Sequence, residues 1–154
     1  LEAKGVEVEP VSYRLHQPFC PTLGRLFVEG SKRAGFTRVF SRGVVGVAEG
    51  PRLESPSEIK VRYTDCGIDV VTMNAVPEVL FAREIGACYA TMQVISNYGE
   101  GLVSTDWTGP GAFDDFLDRW SRASVDAMLY ALRRVDTEDD GCGCRRHRWR
   151  TRLT

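Results

Sequence analysis

Apolar residues recur at two different spacings along the chain, and these spacings predict where helices and strands lie. A helical period over 22–34 places apolar side chains on one face, and Gly35 follows it as a stop signal. Spacings of three, four and seven between Phe113 and Val135 are typical of one long amphipathic helix. Short, nearly continuous apolar runs predict buried strands over 36–48, 68–73 and 88–96.

Capping and turn signals mark the ends of two further helices. Ser55 and Glu58 stand at the spacing of a capping box, so we predict a helix that begins there and ends at Gly67. Pro77 predicts the start of a second helix, which ends at Gly86. Helices that alternate with short apolar strands indicate an α/β fold, with a mostly parallel or mixed sheet flanked by helices.

The loops after the predicted strands are candidate ligand-binding segments, because α/β sheets bind ligands at the carboxyl ends of their strands. These loops read Glu-Gly-Pro-Arg-Leu-Glu at 49–54, Met-Asn-Ala-Val-Pro-Glu at 73–78 and Ser-Asn-Tyr-Gly-Glu-Gly at 96–101. From the residues alone, two interpretations stay open. The loops form a pocket with an apolar wall and amide or carboxylate contacts, or they are ordinary loop-to-helix junctions in which an acid caps a helix.

Composition and charge narrow the class of protein. The 154 residues are 43% hydrophobic, which suits one globular domain. The net charge of -1 conceals a basic tail, since residues 145–154 contain five arginines and no acid. Such a tail is compatible with nucleic-acid binding, but it is short and follows an acidic run. We therefore expect a solvated, poorly ordered terminus, and nucleic acid is not the favoured partner.

Cysteine usage bears on the compartment. The chain has five scattered cysteines, an odd number that disfavours a secreted disulfide framework, and it has no apolar run of membrane-spanning length. We therefore expect a cytoplasmic protein. The first residue is Leu1 rather than methionine, so the chain is expected to be a fragment.

Four motifs carry a resemblance to a known family. They are Gln-Pro-Phe-Cys-Pro at 17–21, Glu-Gly-Pro-Arg-Leu-Glu at 49–54, Asp-Val-Val-Thr-Met-Asn-Ala-Val-Pro-Glu-Val-Leu-Phe-Ala-Arg-Glu at 69–84 and Cys-Tyr-Ala-Thr at 88–91. In order and spacing they resemble the purine nucleoside phosphorylase and methylthioadenosine phosphorylase family. The resemblance implies the carboxyl-terminal part of a nucleoside phosphorylase domain over 16–135, between an extended lead-in over 1–15 and a flexible acidic-then-basic tail over 136–154.

The resemblance also implies a reaction. Members of the family are pentosyltransferases that use inorganic phosphate to split a purine nucleoside into free base and ribose 1-phosphate. They need no metal or organic cofactor, and they assemble as homo-oligomers, either trimers or hexamers. The family's Gly-rich and Arg-His phosphate segments belong to its amino-terminal half and are absent from this sequence. We therefore expect little or no phosphorolysis from these 154 residues alone.

By resemblance, Asn97 is the catalytic group beside the departing purine. Relatives that cleave methylthioadenosine carry Asp-Tyr-Asp where this chain has Asn-Tyr-Gly at 97–99. An amide donates to a 6-oxo group, whereas an acid accepts from a 6-amino group. The resemblance thus favours 6-oxopurine nucleosides such as inosine, guanosine or methylthioinosine. The alternatives are methylthioadenosine as substrate, a non-catalytic purine-binding or oligomerising module, and an Asn97 that only caps a turn.

The remaining site residues follow from the same resemblance. Met73 matches a methionine that packs on sugar and base, and Asn74 stands where relatives bind phosphate or ribose through Ser or Thr. The other implied substrate-binding residues are Leu53, Glu54, Tyr98 and Gly99. For Glu54, an acceptor for purine N1 and a simple helix-preceding acid are equally open.

Two cysteines near the end of the chain allow three interpretations. The Cys-Gly-Cys at 142–144 resembles the Cys-X-Cys ending of heat-stable archaeal members. Cys142 and Cys144 form an easily reduced disulfide or stay as two free thiols. A zinc site of these two with His147 is disfavoured, because the spacing is poor and a fourth ligand is lacking.

Overall fold

The computed structural model describes residues 11–104, 111–136 and 141–150. The strands are β1 (Val11–Tyr13), β2 (Val45–Val47), β3 (Val70–Thr72) and β4 (Arg148–Arg150). The helices are α1 (Pro21–Arg33), α2 (Pro56–Glu58), α3 (Glu78–Glu84) and α4 (Ala112–Leu132). A π-helical segment, Ile59–Thr64, continues α2, and a 3₁₀ turn, Cys144–His147, precedes β4.

The parallel pair of β2 and β3 confirms the α/β prediction. The two strands pair in register from Val45 opposite Val70, and the π-helical segment packs over them. Ile59 and Tyr63 are buried against Ala48 there. A Cβ on Gly46 would lie 2.7 Å from the Tyr63 ring, so glycine lets the ring lie directly on the strand.

The helices begin and end close to where the sequence predicts them. The capping box of Ser55 and Glu58 is formed, with both reciprocal hydrogen bonds. The stop signals are also confirmed, since Gly35, Gly67 and Gly86 all have positive φ.

Helices α1 and α4 pack closely through small residues. Ala127 and Ala131 of α4 are buried, and the Ala127 carbonyl lies so near Gly30 of α1 that a Cβ there would be 2.5 Å from its oxygen. The predicted apolar face of α4 is only partly covered, because Leu117 and Leu132 are exposed.

The predicted strands over 36–48 and 88–96 need correction. Only Val45–Val47 of the first is a strand, and the second forms no ladder within the residues that the structure describes. An apolar run forms a strand only where a neighbouring backbone hydrogen-bonds to it. Within the described residues, β3 pairs with β2 and not with residues 88–96. Residues 88–96 bond instead through side chains and through one backbone contact, from the Cys20 N–H to the Tyr89 carbonyl at 2.6 Å.

Residues 141–150 are folded onto the segment that contains β1. Strand β4 pairs antiparallel with β1, with Val11 opposite Arg150, where the sequence predicts an extended lead-in and a poorly ordered tail. The difference arises because Arg83, 3% exposed, donates to the Cys144 carbonyl at 2.8 Å and so holds the tail. The remaining parts of those two predictions, over 1–10, 137–140 and 151–154, lie outside the described residues.

Candidate functional site

The first two candidate loops meet at Met73. Its Sδ lies 2.9 Å from the position that a Cβ on Gly50 would occupy, so the thioether rests on the backbone of the loop at 49–54. Because β2 and β3 are parallel neighbours, these loops leave the same edge of the sheet. Met73 remains 43% exposed, so much of its side chain is open to a ligand.

The third loop packs on the start of the helix that follows the first loop. A Cβ on Gly99 would lie 3.0 Å from Ile59 Cδ1, and one on Gly101 would lie 2.6 Å from Pro56 Cβ. Both glycines are therefore places of close approach, where a side chain would push the loop away. The third loop is thus joined to the helix that follows the first loop, while the first and second loops meet at Met73.

Asn97 lies half-buried in the third loop, and its hydrogen bonds stay within that loop. Its Oδ1 accepts from Ser96 Oγ at 2.5 Å, and its Nδ2 donates to the Tyr98 carbonyl at 2.8 Å. An amide nitrogen has two hydrogens, and within the described residues the second has no acceptor. The turn-capping alternative describes the bonds that Asn97 makes, and one donor is left for a ligand.

Asn74 belongs to a polar cluster beside β3. Its Oδ1 accepts from Thr72 Oγ1 at 2.9 Å and from Gln93 Nε2 at 3.1 Å. Gln93 Nε2 also donates to Thr91 Oγ1 at 2.7 Å, which fixes the amide between the two. Since the oxygen of Asn74 is used twice, its nitrogen is the end suited to an anionic or hydroxyl oxygen. Sequence reasoning missed Gln93 and Thr72, although a glutamine inside an apolar run was a signal.

The other site residues range from exposed to half-buried. Leu53 is 46% exposed and Tyr98 is 65% exposed, while Glu54 and Gly99 are half-buried. No hydrogen bond within the described residues joins Asn97 to Met73, Asn74 or the loop at 49–54. The loops are neighbours, and apolar side chains open to solvent at their edge are typical of a binding surface.

A charged pair fixes the first loop to the helix that follows it. Arg52 donates through both terminal nitrogens to the Glu58 carboxylate, at 2.9 and 2.8 Å. This bond, together with the hydrogen bonds from Ser55, lowers the pKa of Glu58 from about 4.5 to about 2. Glu58 therefore caps the helix and anchors the loop. Leu53 and Glu54 lie between Arg52 and Ser55, both of which are hydrogen-bonded to Glu58.

A second group of reactive side chains lies away from these loops. The Sγ atoms of Cys20, Cys88, Cys142 and Cys144, the four-cysteine cluster, all lie within 4.8 Å of one another. Cys88 and Cys142 are 3.4 Å apart, and all four are free thiols. His147 does not belong to the cluster, so the ligand set of the disfavoured zinc interpretation is not the one that the fold assembles. Sequence reasoning missed Cys20 and Cys88, because only the fold brings them to the tail.

The surroundings shift the pKa values of the cluster thiols in opposite directions. A hydrogen bond from the Cys144 backbone lowers the pKa of Cys142. Desolvation, with the Cys142 thiol beside it, raises the pKa of Cys88, and desolvation likewise raises that of Cys144 to about 11. Cys142 is thus the thiol that ionises most readily of these three.

Comparison with known sequences identifies the family. The family model described as "Phosphorylase superfamily" matches residues 4–133. The chain belongs to the phosphorylase superfamily. Within it, the chain is 38% identical over 141 residues to a protein of Moorella thermoacetica named "Probable 6-oxopurine nucleoside phosphorylase", covering 92% of this chain and 53% of that protein. It is 31% identical to the 6-oxopurine nucleoside phosphorylase of Pyrococcus furiosus, covering 84% and 47%.

Two further similarities are to a sequence relative and to a solved structure. A "Probable S-methyl-5'-thioinosine phosphorylase" of Methanopyrus kandleri is 39% identical over 87 residues, which are 56% of this chain and 33% of that protein. The structure of methylthioadenosine phosphorylase from Schistosoma mansoni in complex with adenine superposes with a TM-score of 0.74 at 17% identity, over 94% of this chain and 56% of that one. The chain spans about half the length of the curated relatives it matches.

These findings confirm the resemblance that the four motifs carry, including its restriction to part of a phosphorylase. A separate finding concerns membrane-spanning helices. Among the described helices, none has the length and apolar character that a bilayer crossing requires.

Proposed function

We propose that the phosphorylase containing this chain cleaves the N-glycosidic bond of 6-oxopurine nucleosides with inorganic phosphate. The products are the free base and ribose 1-phosphate, or its 5-methylthio analogue. The observation that carries the proposal is the amide of Asn97, with one N–H free of partners within the described residues, on a loop that packs on the helix following the first loop. Relatives named for 6-oxopurine nucleosides and for methylthioinosine support the same base class.

The base preference follows from the chemistry of the leaving group. As the glycosidic bond breaks, negative charge develops on the purine, and a donor at its edge stabilises the transition state more than the bound nucleoside. Asn97 Nδ2 supplies such a donor to N7 or to a 6-oxo group. Adenine presents a 6-amino donor instead, which would leave two donors facing each other.

The second loop is the proposed binding segment for the sugar and the phosphate. In this proposal the exposed Met73 thioether packs on the ribose face, where a flexible and polarisable group adapts to an apolar surface. Asn74, whose oxygen is already used by Thr72 and Gln93, donates through its nitrogen to phosphate or ribose. Leu53, Glu54, Tyr98 and Gly99 complete the wall around the base. The reaction needs no resident metal or organic cofactor, and phosphate is the co-substrate.

Further parts of the proposal concern the whole protein. We expect it to be a homo-oligomer, a trimer or a hexamer, in the cytoplasm, where thiols stay reduced. We also expect the isolated chain to be nearly inactive, because part of a phosphate site forfeits the positioning on which the rate depends. Incubation with inosine and phosphate, followed by chromatography for hypoxanthine, contradicts this expectation if turnover reaches about 1 per second.

The base preference is tested by binding, which does not require a complete phosphate site. Calorimetry compares hypoxanthine with adenine on the chain and on the Asn97→Asp and Asn97→Ala variants. We expect the chain to favour hypoxanthine by about tenfold or more, which corresponds to about 1.4 kcal/mol for one donor. Asn97→Asp is expected to reverse the preference, and Asn97→Ala to abolish it.

The variants share one backbone position, so each controls for the others. If the alanine variant discriminates as well as the unaltered chain, Asn97 does not read the base. If neither base binds while hypoxanthine formation from inosine is still detected, the site lies elsewhere on the protein.

A further inference from the structure

The four-cysteine cluster gathers thiols from three separate stretches of the chain. Cys20 precedes α1, Cys88 follows α3, and Cys142 and Cys144 lie beyond α4. We propose that this cluster binds one Zn²⁺ ion as a tetrathiolate site that fastens the end of the chain to the body of the fold. The site is separate from the three loops of the proposed active site and does not depend on the proposed function.

The distances suit a tetrahedral metal. Zinc binds thiolate sulfur at about 2.3 Å, and the sulfurs of such a tetrahedron are then about 3.8 Å apart. In the cluster every pair lies within 4.8 Å, and Cys88 and Cys142 are 3.4 Å apart. Disulfide bonds would need sulfurs about 2.05 Å apart in two separate pairs, whereas here each sulfur lies within 4.8 Å of the other three.

The backbone holds the four ligands in place before any metal arrives. The Cys20 N–H donates to the Tyr89 carbonyl, which fixes the stretch of Cys20 against that of Cys88. Gly143 has a φ of 71°, a left-handed turn that brings the flanking cysteines to the same side. The Arg146 N–H donates back to the Gly143 carbonyl at 3.0 Å and closes this turn. A preformed arrangement of this kind lowers the cost of ordering the ligands on binding.

The charge around the cluster favours an anionic metal complex. Zn²⁺ with four thiolates carries a net charge of about −2. Arg83 is buried beside it, with hydrogen bonds to the carbonyls of Cys144 and Gln17, and within the described residues it forms no ion pair. A buried guanidinium without a carboxylate is costly. A dianionic zinc centre bound in part by Cys144, whose carbonyl Arg83 contacts, would supply the missing negative charge.

A pocket gives the metal a route to the cluster. It has a volume of about 220 Å³ and is lined by Cys20, Cys88 and Cys142 together with Leu23 and Arg145. None of its lining residues belongs to the three loops. The pocket therefore opens beside three of the four cysteines and away from the proposed active site, which gives zinc or a chelator an approach to the cluster.

The test measures metal in the chain purified under reducing conditions with zinc in the medium. We expect elemental analysis to find about one zinc per chain and little iron. Cys88→Ser and Cys142→Ser are expected to lose most of it. Cys66→Ser is the matched control, because Cys66 is exposed and lies outside the cluster, and it is expected to keep the full zinc content.

A second measurement uses the unaltered chain and does not depend on how the variants fold. Titration of the metal-free, reduced chain with Co²⁺ is expected to produce the sulfur-to-cobalt charge-transfer bands and intense visible bands of a tetrahedral tetrathiolate, and Zn²⁺ is expected to bleach them. The proposal is overturned if these bands do not appear, if iron replaces zinc, or if native mass spectrometry shows two disulfides under these conditions.

Discussion

Glu58 shows how much one side chain does at the edge of the proposed site. It accepts two hydrogen bonds from Arg52 and one from the Ser55 backbone, and it completes the capping box. Each of these bonds favours the ionised carboxylate, which is why its pKa lies so low. The sequence predicts the capping box from the spacing of Ser55 and Glu58. The bond from Arg52 to Glu58 was not predicted, because it depends on the path of the loop between them, which residue spacing does not determine.

The lowered pKa of Glu58 predicts a pH dependence of stability. Because the folded pKa, about 2, is below the ordinary value near 4.5, the contribution is full above the ordinary value and is lost as the pH falls towards 2. Urea unfolding at pH about 6 and about 3 should show a smaller loss on acidification for Glu58→Gln than for the unaltered chain. Asp126→Asn, which removes only an exposed pair with Arg122, should keep the full loss.

Ala75 is a residue in an unusual conformation at the foot of the second loop. Its φ is 81° and its side chain is 2% exposed. Ala75→Gly relieves about 1 kcal/mol of backbone cost but loses a buried methyl worth about 0.8 kcal/mol, so thermal unfolding should scarcely change. Ala75→Val should lower the free energy of unfolding by about 2 kcal/mol or more, because a β-branched side chain is strained at this φ and is too large for the buried position. Equal stability of the valine variant would contradict the left-handed conformation.

At the scale of elements, periodicity predicts helices better than strands in this chain. A helix satisfies its own backbone, so its residues carry the whole signal, as the bounds of α1 and α4 show. A strand depends on its partner, which the local sequence does not name. The apolar run at 88–96 therefore has the composition of a strand but no strand partner among the residues that the structure describes. The site follows the same division, since the three loops were predicted but Gln93, which orders Asn74, was not.

The contact of α1 with α4 gives a matched pair of glycine substitutions in one helix. Gly30→Ala should destabilise the chain by about 1–3 kcal/mol, because the new methyl would meet the Ala127 carbonyl at 2.5 Å. Gly24→Ala meets nothing within 4 Å and should stabilise it by about 0.5–1 kcal/mol through helix propensity. Denaturant unfolding measures both. A Gly30→Ala variant as stable as Gly24→Ala would place the helices farther apart than described here.

At the scale of the whole molecule, residues 141–150 are part of the fold. Arg83 of α3 donates to the carbonyls of Gln17 and Cys144, and β4 pairs with β1. Charge patterning predicted a solvated, poorly ordered basic tail, because five clustered arginines are typical of a solvated segment. That reasoning missed Arg83, because its partners are backbone carbonyls. Every residue has one, so the sequence does not show which of them Arg83 contacts.

Replacing Arg83 should release the tail. Arg83→Met is expected to lower the free energy of unfolding by about 2–3 kcal/mol, the value of charge-assisted bonds left unmade. Trypsin should then cleave after Arg145 and Arg146 much sooner, as followed by mass spectrometry. Arg133→Met is the control, since Arg133 is exposed at the end of α4, and cleavage after Arg145 and Arg146 in that variant should remain slow. Unchanged tail cleavage in Arg83→Met would mean that β1 alone holds β4.

The antiparallel pairing of β1 with β4 has a topological consequence. Val11 and Arg150 face each other across one ladder, at a separation of about 5 Å between their Cα atoms. A short peptide bridge would therefore close the backbone between these two positions into a ring. New ends could then be opened at a surface turn such as Gly35, giving a circularly permuted polypeptide with the same packing.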